Sequence, residues 1–374
     1  MIINEERLLN EFLELVQIDS ETKFETEIAK VLTEKFSQLG VNVFEDDTTS
    51  ITGHGAGNLI CTLEGTKTGV DTIYFTSHMD TVVPAKGVKP SIKDGYVVTD
   101  GTTILGADDK AGLAVMLETI RILKEQNIQH GTIQFIITVG EESGLHGAKA
   151  LDRGLITAKY GYAIDSDGKV GNIIVAAPTQ AKITAIIHGK TAHAGVAPEK
   201  GISAITIAAK AVAKMSLGRI DEDTTANIGR FEGGKQTNIV ADRVDILAEA
   251  RSLLPEKMEK QAQSMKEAFE TAAAEMGGSA EVEIEVMYPG FKFGAGDHVV
   301  EIGRKAAAKI GRSCELLHSG GGSDANVIAG FGIPTVNLAV GYEEIHTTNE
   351  RMPIAELYKL AEMVVAIIEE VSAN

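Results

Sequence analysis

Cysteine is nearly absent from this chain. There are two, Cys61 and Cys314, far apart and in no CxxC pair. That excludes a disulfide framework and a thiolate zinc cage, and it fits a reducing cytoplasm. Basic residues are also scarce: 35 Lys and Arg stand against 53 Asp and Glu, for a net charge of −18. A surface this acidic repels nucleic acid and anionic membranes, so neither is an expected partner. No run of about 18 apolar residues occurs, so no membrane span is expected. The opening Met-Ile-Ile-Asn-Glu-Glu-Arg has no basic segment followed by an apolar one, so no export signal is read there. Repeats, low-complexity stretches and long linkers are missing too. What remains is 374 residues of ordinary globular composition, 44% hydrophobic and 24% charged, suggesting two or so domains.

The informative residues stand where hydrophobic runs stop. Thr72–Ser77 is a short, β-branched and aromatic run that predicts a buried strand, and His78-Met79-Asp80 follows it. Residues two apart on a strand share a face, so one imidazole and one carboxylate project together. Ligands of α/β sheets gather at the carboxyl ends of strands. His78 is therefore a candidate metal ligand with Asp80 as its neighbour. The pattern recurs along the chain. Asp108 and Asp109 sit in Gly-Ala-Asp-Asp-Lys-Ala-Gly at the mouth of an apolar helix, and Glu141-Glu142 follows Thr-Ile-Gln-Phe-Ile-Ile-Thr-Val. Asp165 follows Tyr-Gly-Tyr-Ala-Ile, and His346 follows Pro-Thr-Val-Asn-Leu-Ala-Val. Any one of these alone reads as a helix cap or loop acid. Together they predict a shared site on one edge of a sheet.

Two imidazoles with several carboxylates are too oxygen-rich for structural zinc. They suit two divalent ions bridged by one carboxylate, which together acidify a water held between them. Glu141 and Glu142 are adjacent, so one can ligate while the other takes a proton from the attacking water and passes it to a leaving amine.

The strings Thr-Ser-His78-Met-Asp80-Thr-Val, Gly-Ala-Asp108-Asp-Lys-Ala-Gly, Gly-Glu141-Glu142-Ser-Gly, Asp165 and the late His346 occur in an order that resembles the co-catalytic zinc peptidases that include peptidase T. Glutamate carboxypeptidase, acetylornithine deacetylase and succinyl-diaminopimelate desuccinylase belong to the same superfamily. The resemblance implies His78 and Asp165 on one zinc, Glu142 and His346 on the other, and Asp108 bridging them. It further implies Glu141 as general base and Asp80 orienting His78. Cobalt or manganese are alternatives to zinc, since availability decides between them.

Residues 181–289 follow a different pattern. They read strand–helix–strand–strand–helix–strand, the ferredoxin-like order, with Ile202–Met215 and Glu256–Glu275 as helices. The expected fold is a doubly wound α/β catalytic domain, 1–180 and 290–374, with an inserted α+β domain at 181–289. By resemblance the insert acts as lid and dimerisation domain, and a homodimer through it is expected. Three residues of the insert are candidates for substrate binding. His193, in Gly-Lys-Thr-Ala-His-Ala-Gly, could stabilise a tetrahedral oxyanion. Asn238 and Arg251 could hold a carboxylate. Ser323, in the glycine-rich His318–Asp324 segment that opens a helix, is a fourth candidate, on one wall of the cleft. His54, His130, His146, His188 and His298 read as structural or surface residues. The leading expectation is a cytoplasmic two-zinc exopeptidase acting on short peptides in the manner of a tripeptide aminopeptidase. An N-acyl-amino-acid amidohydrolase or carboxypeptidase on the same scaffold is the alternative, and a silent metal- or peptide-binding protein is the remote one.

Overall fold

The structure is a computed structural model and describes residues 3–373. The chain divides into two units. The first comprises the residues up to Ala176, Phe293–His318, and those from Ser323 onward; the second is Ala177–Lys292 with Ser319–Gly322. The sequence-based boundaries lie a few residues inside these, and the short glycine segment groups with the second unit.

The first unit is built on a twisted sheet. Its strand order is Asn42–Glu45, Leu59–Leu63, Ile133–Thr138, Ile73–His78, Tyr160–Ser166, Thr335–Ala339, Ile173–Ala177, with Leu316–His318 also pairing on the last. The run from Ile133–Thr138 to Thr335–Ala339 is parallel. Parallel strands are covered on both faces, which explains why Ile73–His78 and Ile133–Thr138 are buried at every position. Odd-numbered residues such as Phe75 and Phe135 join a large core with the helices Ala107–Glu125 and Ile354–Ala373. Even-numbered ones such as Tyr74 and Ile136 join a second cluster with Ile156, Ile328 and Ile333. This is the doubly wound arrangement, and it aligns the carboxyl ends of four neighbouring parallel strands.

The second unit is an antiparallel sheet in the order Gly218–Arg219, Thr224–Gly233, Arg243–Ser252, Thr179–His188, Ser279–Tyr288. Its long strands follow the ferredoxin-like order. Burial alternates along Arg243–Ser252, as it must when one face of a sheet meets helices and the other does not. The helices are Ala204–Ala213 and Pro255–Glu275, whose Ile207, Ala208, Met265 and Phe269 pack on Ala185, Ile187 and Val244 of the sheet or on its Ala181 and Ile183.

Candidate metal centre

The parallel strands converge on one edge, and each brings a polar side chain there. Ile73–His78 ends on His78 itself, which pairs across the ladder with Thr138. Beyond Thr138 the chain turns sharply through Gly140 and presents Glu141 and Glu142. Asp165 lies within the last turn of the pleat of Tyr160–Ser166 rather than after it. Thr335–Ala339 leads to a loop in which His346 adopts φ +62°, an uncommon conformation for a residue with a side chain. Asp108 stands at the start of the helix Ala107–Glu125, with non-helical φ and ψ, while Asp109 accepts the Gly112 amide at 3.2 Å and caps the helix.

These groups meet. His78 Nε2 is 3.1 Å from Asp108 Oδ1 and 3.7 Å from Asp165 Oδ1. His346 Nε2 is 3.1 Å from the other Asp108 oxygen, Oδ2, and 3.1 Å from Glu142. Donors that share one zinc at about 2.0–2.2 Å in a tetrahedron stand roughly 3.3–3.6 Å apart. The observed spacings bracket that range, so the donor set fits divalent cations. Three groups, His78/Asp108/Asp165, Asp108/Glu142/His346 and His78/Glu141/Glu142, each bring their ligand atoms within 4.8 Å of one another.

Supports surround the ligands. His78 Nδ1 lies 2.9 Å from the Asp80 carbonyl and 3.5 Å from its carboxylate. The carboxylate instead accepts the amides of Glu141 at 3.0 Å and Glu142 at 3.3 Å. Asp80 thus contacts both the His78 ring and the Glu141–Glu142 turn from one position. Glu350 accepts the amides of Leu105, Gly106 and Asp108 at 2.8, 2.8 and 3.0 Å. Asn337 accepts the Asp165 amide at 2.9 Å and donates to its carbonyl at 2.6 Å. Tyr342 donates to Asp165 Oδ1 at 3.3 Å. Glu350 and Tyr342 carry no signal in the sequence. Asn337 does, as a polar residue inside an otherwise apolar strand.

Crowded carboxylates set the electrostatics. Burial, reinforced by Asp165, raises the Glu141 carboxyl well above the usual range. Burial pushes Asp165 up to about 7, against the pull of His78. Asp108 and Glu142 raise the His346 imidazole to about 10. For His78, burial opposes the charged form, but Asp108, Asp165 and Asp80 outweigh it and hold the ring well above its ordinary value. The site is short of positive charge, which divalent ions would supply.

The chain matches the model of Peptidase family M20/M25/M40 over residues 74–370. It belongs to that family. As a member of the M20/M25/M40 peptidases it is a metallopeptidase. Among its relatives is protein YqjE of Bacillus subtilis (strain 168), 79% identical over 369 residues, 99% of each chain. The crystal structure of aminopeptidase PepT from Bacillus cereus ATCC 10987 is 78% identical and superposes with a TM-score of 0.95 over 99% of each chain. That of a tripeptidase from Staphylococcus aureus subsp. aureus Mu50 is 57% identical, with a TM-score of 0.98 over the whole of both chains.

The remaining candidates lie elsewhere in this M20-family fold. In the second unit, His193 pairs as an isolated bridge with Ile239, and the Ala194 amide donates to the Asn238 carbonyl at 2.9 Å, so His193 and Asn238 are brought together. Arg251 is engaged by Glu249 through Nε and Nη2, both at 3.0 Å, while Nη1 donates to the Gly320 carbonyl at 3.1 Å. In the first unit, Ser323 caps the helix Asp324–Gly330 in a capping box with Asn326, and its hydroxyl accepts from Asn337 at 3.3 Å.

Proposed function

We propose that this chain is a two-metal exopeptidase that cuts short peptides, as the aminopeptidase and tripeptidase it resembles are named for doing. The observation that carries the reading is Asp108. One carboxylate offers one oxygen to the His78 side and the other to the His346 side, each at 3.1 Å. That supports His78 and Asp165 as ligands of one ion, Glu142 and His346 as ligands of the second, and Asp108 as the bridge.

When bound, two divalent ions, zinc or else cobalt or manganese, polarise a carbonyl and acidify water. The protein's residues do the rest. Asp80 fixes the His78 ring and the turn beside it. Glu141, as a carboxylate, takes one proton from the attacking water and returns it to the departing nitrogen as the C–N bond breaks; burial, which favours its protonated form, helps it hold the proton in between. We assign His193 to the oxyanion and Asn238 and Arg251 to the substrate's C-terminal carboxylate on the strength of their motifs. Glu249 engages the Nε and Nη2 of Arg251 and the Gly320 carbonyl its Nη1, so a carboxylate would meet the hydrogens that those contacts leave over. Ser323 supports Asp165 through Asn337. The free thiols Cys61 and Cys314 support a cytoplasmic setting, and among the described residues no helix is long and apolar enough to cross a membrane.

One assay tests the reading: di- and tripeptides with free or blocked ends, beside N-acetyl and N-succinyl amino acids, with zinc, cobalt or manganese. Peptides with a free amino terminus should be cut and the N-acyl amino acids left intact. Chelation should abolish the activity, and two equivalents of metal restore it. Glu141→Gln should keep both metals while kcat falls by roughly 10²–10⁴-fold. Preference for N-acyl amino acids would move the enzyme to the deacylase branch.

A further inference from the structure

The turn that presents Glu141 and Glu142 is gripped on two flanks. On one, the Asp80 carboxylate takes both amides. On the other lies His54, 3% exposed. Its ring approaches Gly140 so closely that a Cβ there would stand 2.3 Å from Nε2. The same Nε2 is 3.3 Å from Ser143 Oγ. That hydroxyl also accepts from Thr22 Oγ1 at 2.9 Å and donates to the Gly140 carbonyl at 3.4 Å. A hydroxyl has one proton and two lone pairs. With the proton on Gly140 and one lone pair on Thr22, Ser143 can only accept from His54, so the imidazole carries its proton on Nε2. His54 Nδ1 agrees: it is buried with no partner that could receive a proton.

Thr22 closes the circuit. Its amide donates to the carbonyl of Thr81 at 3.0 Å, and Thr81 follows Asp80. Asp80, Glu141–Ser143, Thr22 and Thr81 therefore form a ring of hydrogen bonds around the turn, with His54 as its buried post. Glu141 and Glu142 are consecutive and have different tasks, one a proton carrier and one a ligand. Their side chains keep those directions only while the backbone between them is held to within roughly 10–20°.

We propose that His54 and Thr22, acting through Ser143, are positioning residues for hydrolysis. They hold the Gly140–Gly144 turn so that Glu142 faces His346 while Glu141 stays turned to proton transfer. This rests on Glu141 being the base. It differs from a purely structural role because Ser143 is exposed and Thr22 half-buried, and surface hydroxyls contribute little to stability.

The test uses Thr22→Val, Ser143→Ala, their double variant, His54→Gln, His54→Ala and Glu141→Gln in the full chain. In metal-loaded enzyme, Thr22→Val and Ser143→Ala should each lower kcat roughly 3- to 12-fold, a lost hydrogen bond's worth, with KM within about twofold and both metals retained. The double variant should fall no further than the weaker single, because both act through one contact. His54→Gln, whose amide can donate where Nε2 did, should keep more turnover than His54→Ala. In metal-free protein, amide hydrogen exchange at Glu141 and Glu142 should quicken in Thr22→Val and Ser143→Ala. Turnover within about twofold of wild type in both single variants overturns the inference. So do losses that track metal content or folded fraction, or that multiply in the double variant. Glu141→Gln separates the two levels. If it turns over nearly normally, the base assignment fails and takes the inference with it. If it is inactive while Thr22→Val and Ser143→Ala are normal, only the positioning role fails.

Discussion

Asp108 and Glu142 favour the charged form of the His346 imidazole, whereas its proposed role as a metal ligand needs the neutral form. Its imidazole is raised to about 10 by Asp108 and Glu142, so at pH 7 it holds its proton. A ligand nitrogen must be bare. Loading metal therefore expels that proton, and apparent affinity should climb as pH rises toward about 10 and weaken as pH falls. Calorimetric titration of zinc in two buffers of different ionisation enthalpy should give different heats, corresponding to one or more protons released per chain. Identical heats would contradict this. Residue by residue, what could be read from the chain was the set of acids and imidazoles that end hydrophobic runs. Their supports were harder to see. Glu350 works through three backbone amides, and a backbone partner leaves no mark in a sequence. Asp80 was readable as a neighbour of His78, but not as the acceptor for the Glu141 and Glu142 amides, because that contact spans two strands. His54 passed for a structural histidine because no hydrophobic run leads into it.

Among the elements, the Gly140 turn is the most demanding. Its φ of +59° lies in the left-handed region, and the space a Cβ would need is filled by His54. Gly140→Ala should lose about 1–2 kcal/mol to backbone conformation alone, plus the clash. Thermal melts should show a lower Tm, and kcat should fall at least tenfold. Pairing it with His54→Ala should recover part of the stability, since the ring is what the new methyl meets; no recovery would mean the backbone term dominates. Element identity was legible where periodicity was strong. The alternation of Lys182–His188 and the Ala-rich run after Ile202 mark a strand and a helix, and both are there, as Thr179–His188 and Ala204–Ala213. Ends were less legible. Asp165 sits inside its strand, because one edge of Tyr160–Ser166 continues pairing through Ser166 with Ala339. His346 follows its strand by a loop whose positive φ angles at Glu344 and His346 no hydrophobic pattern encodes.

For the molecule as a whole, the second unit's sheet ends, among the described residues, on an edge strand. Ser279–Tyr288 is the last strand of its sheet, and Val286 on it is 55% exposed. Open edges invite pairing. We expect a homodimer through this unit, and light scattering at micromolar concentration should give about twice the 39.7 kDa of one chain. A mass of one chain would refute it. At this scale the two-part organisation and the ferredoxin-like order were legible, since six elements in the order strand–helix–strand–strand–helix–strand fall between the two stretches that carry the candidate ligands. The grouping of Ser319–Gly322 with the second unit was not, because it depends on contacts such as that of Arg251 with the Gly320 carbonyl, far apart along the chain.

The order of the first unit's strands also sets when the peptidase can switch on. Tyr160–Ser166 and Ile173–Ala177 are made almost together, yet Thr335–Ala339 lies between them in the sheet. A growing chain must hold that slot open while the whole second unit is synthesised. His346, a proposed ligand, is made only after Thr335–Ala339. A chain that stops short of His346 would lack one proposed ligand of the second ion. In refolding, protection of Ile173–Ala177 against exchange should appear in the same slow phase as that of Thr335–Ala339, its sheet neighbour. Early, independent protection of Ile173–Ala177 would show that this part of the sheet does not wait for its last member.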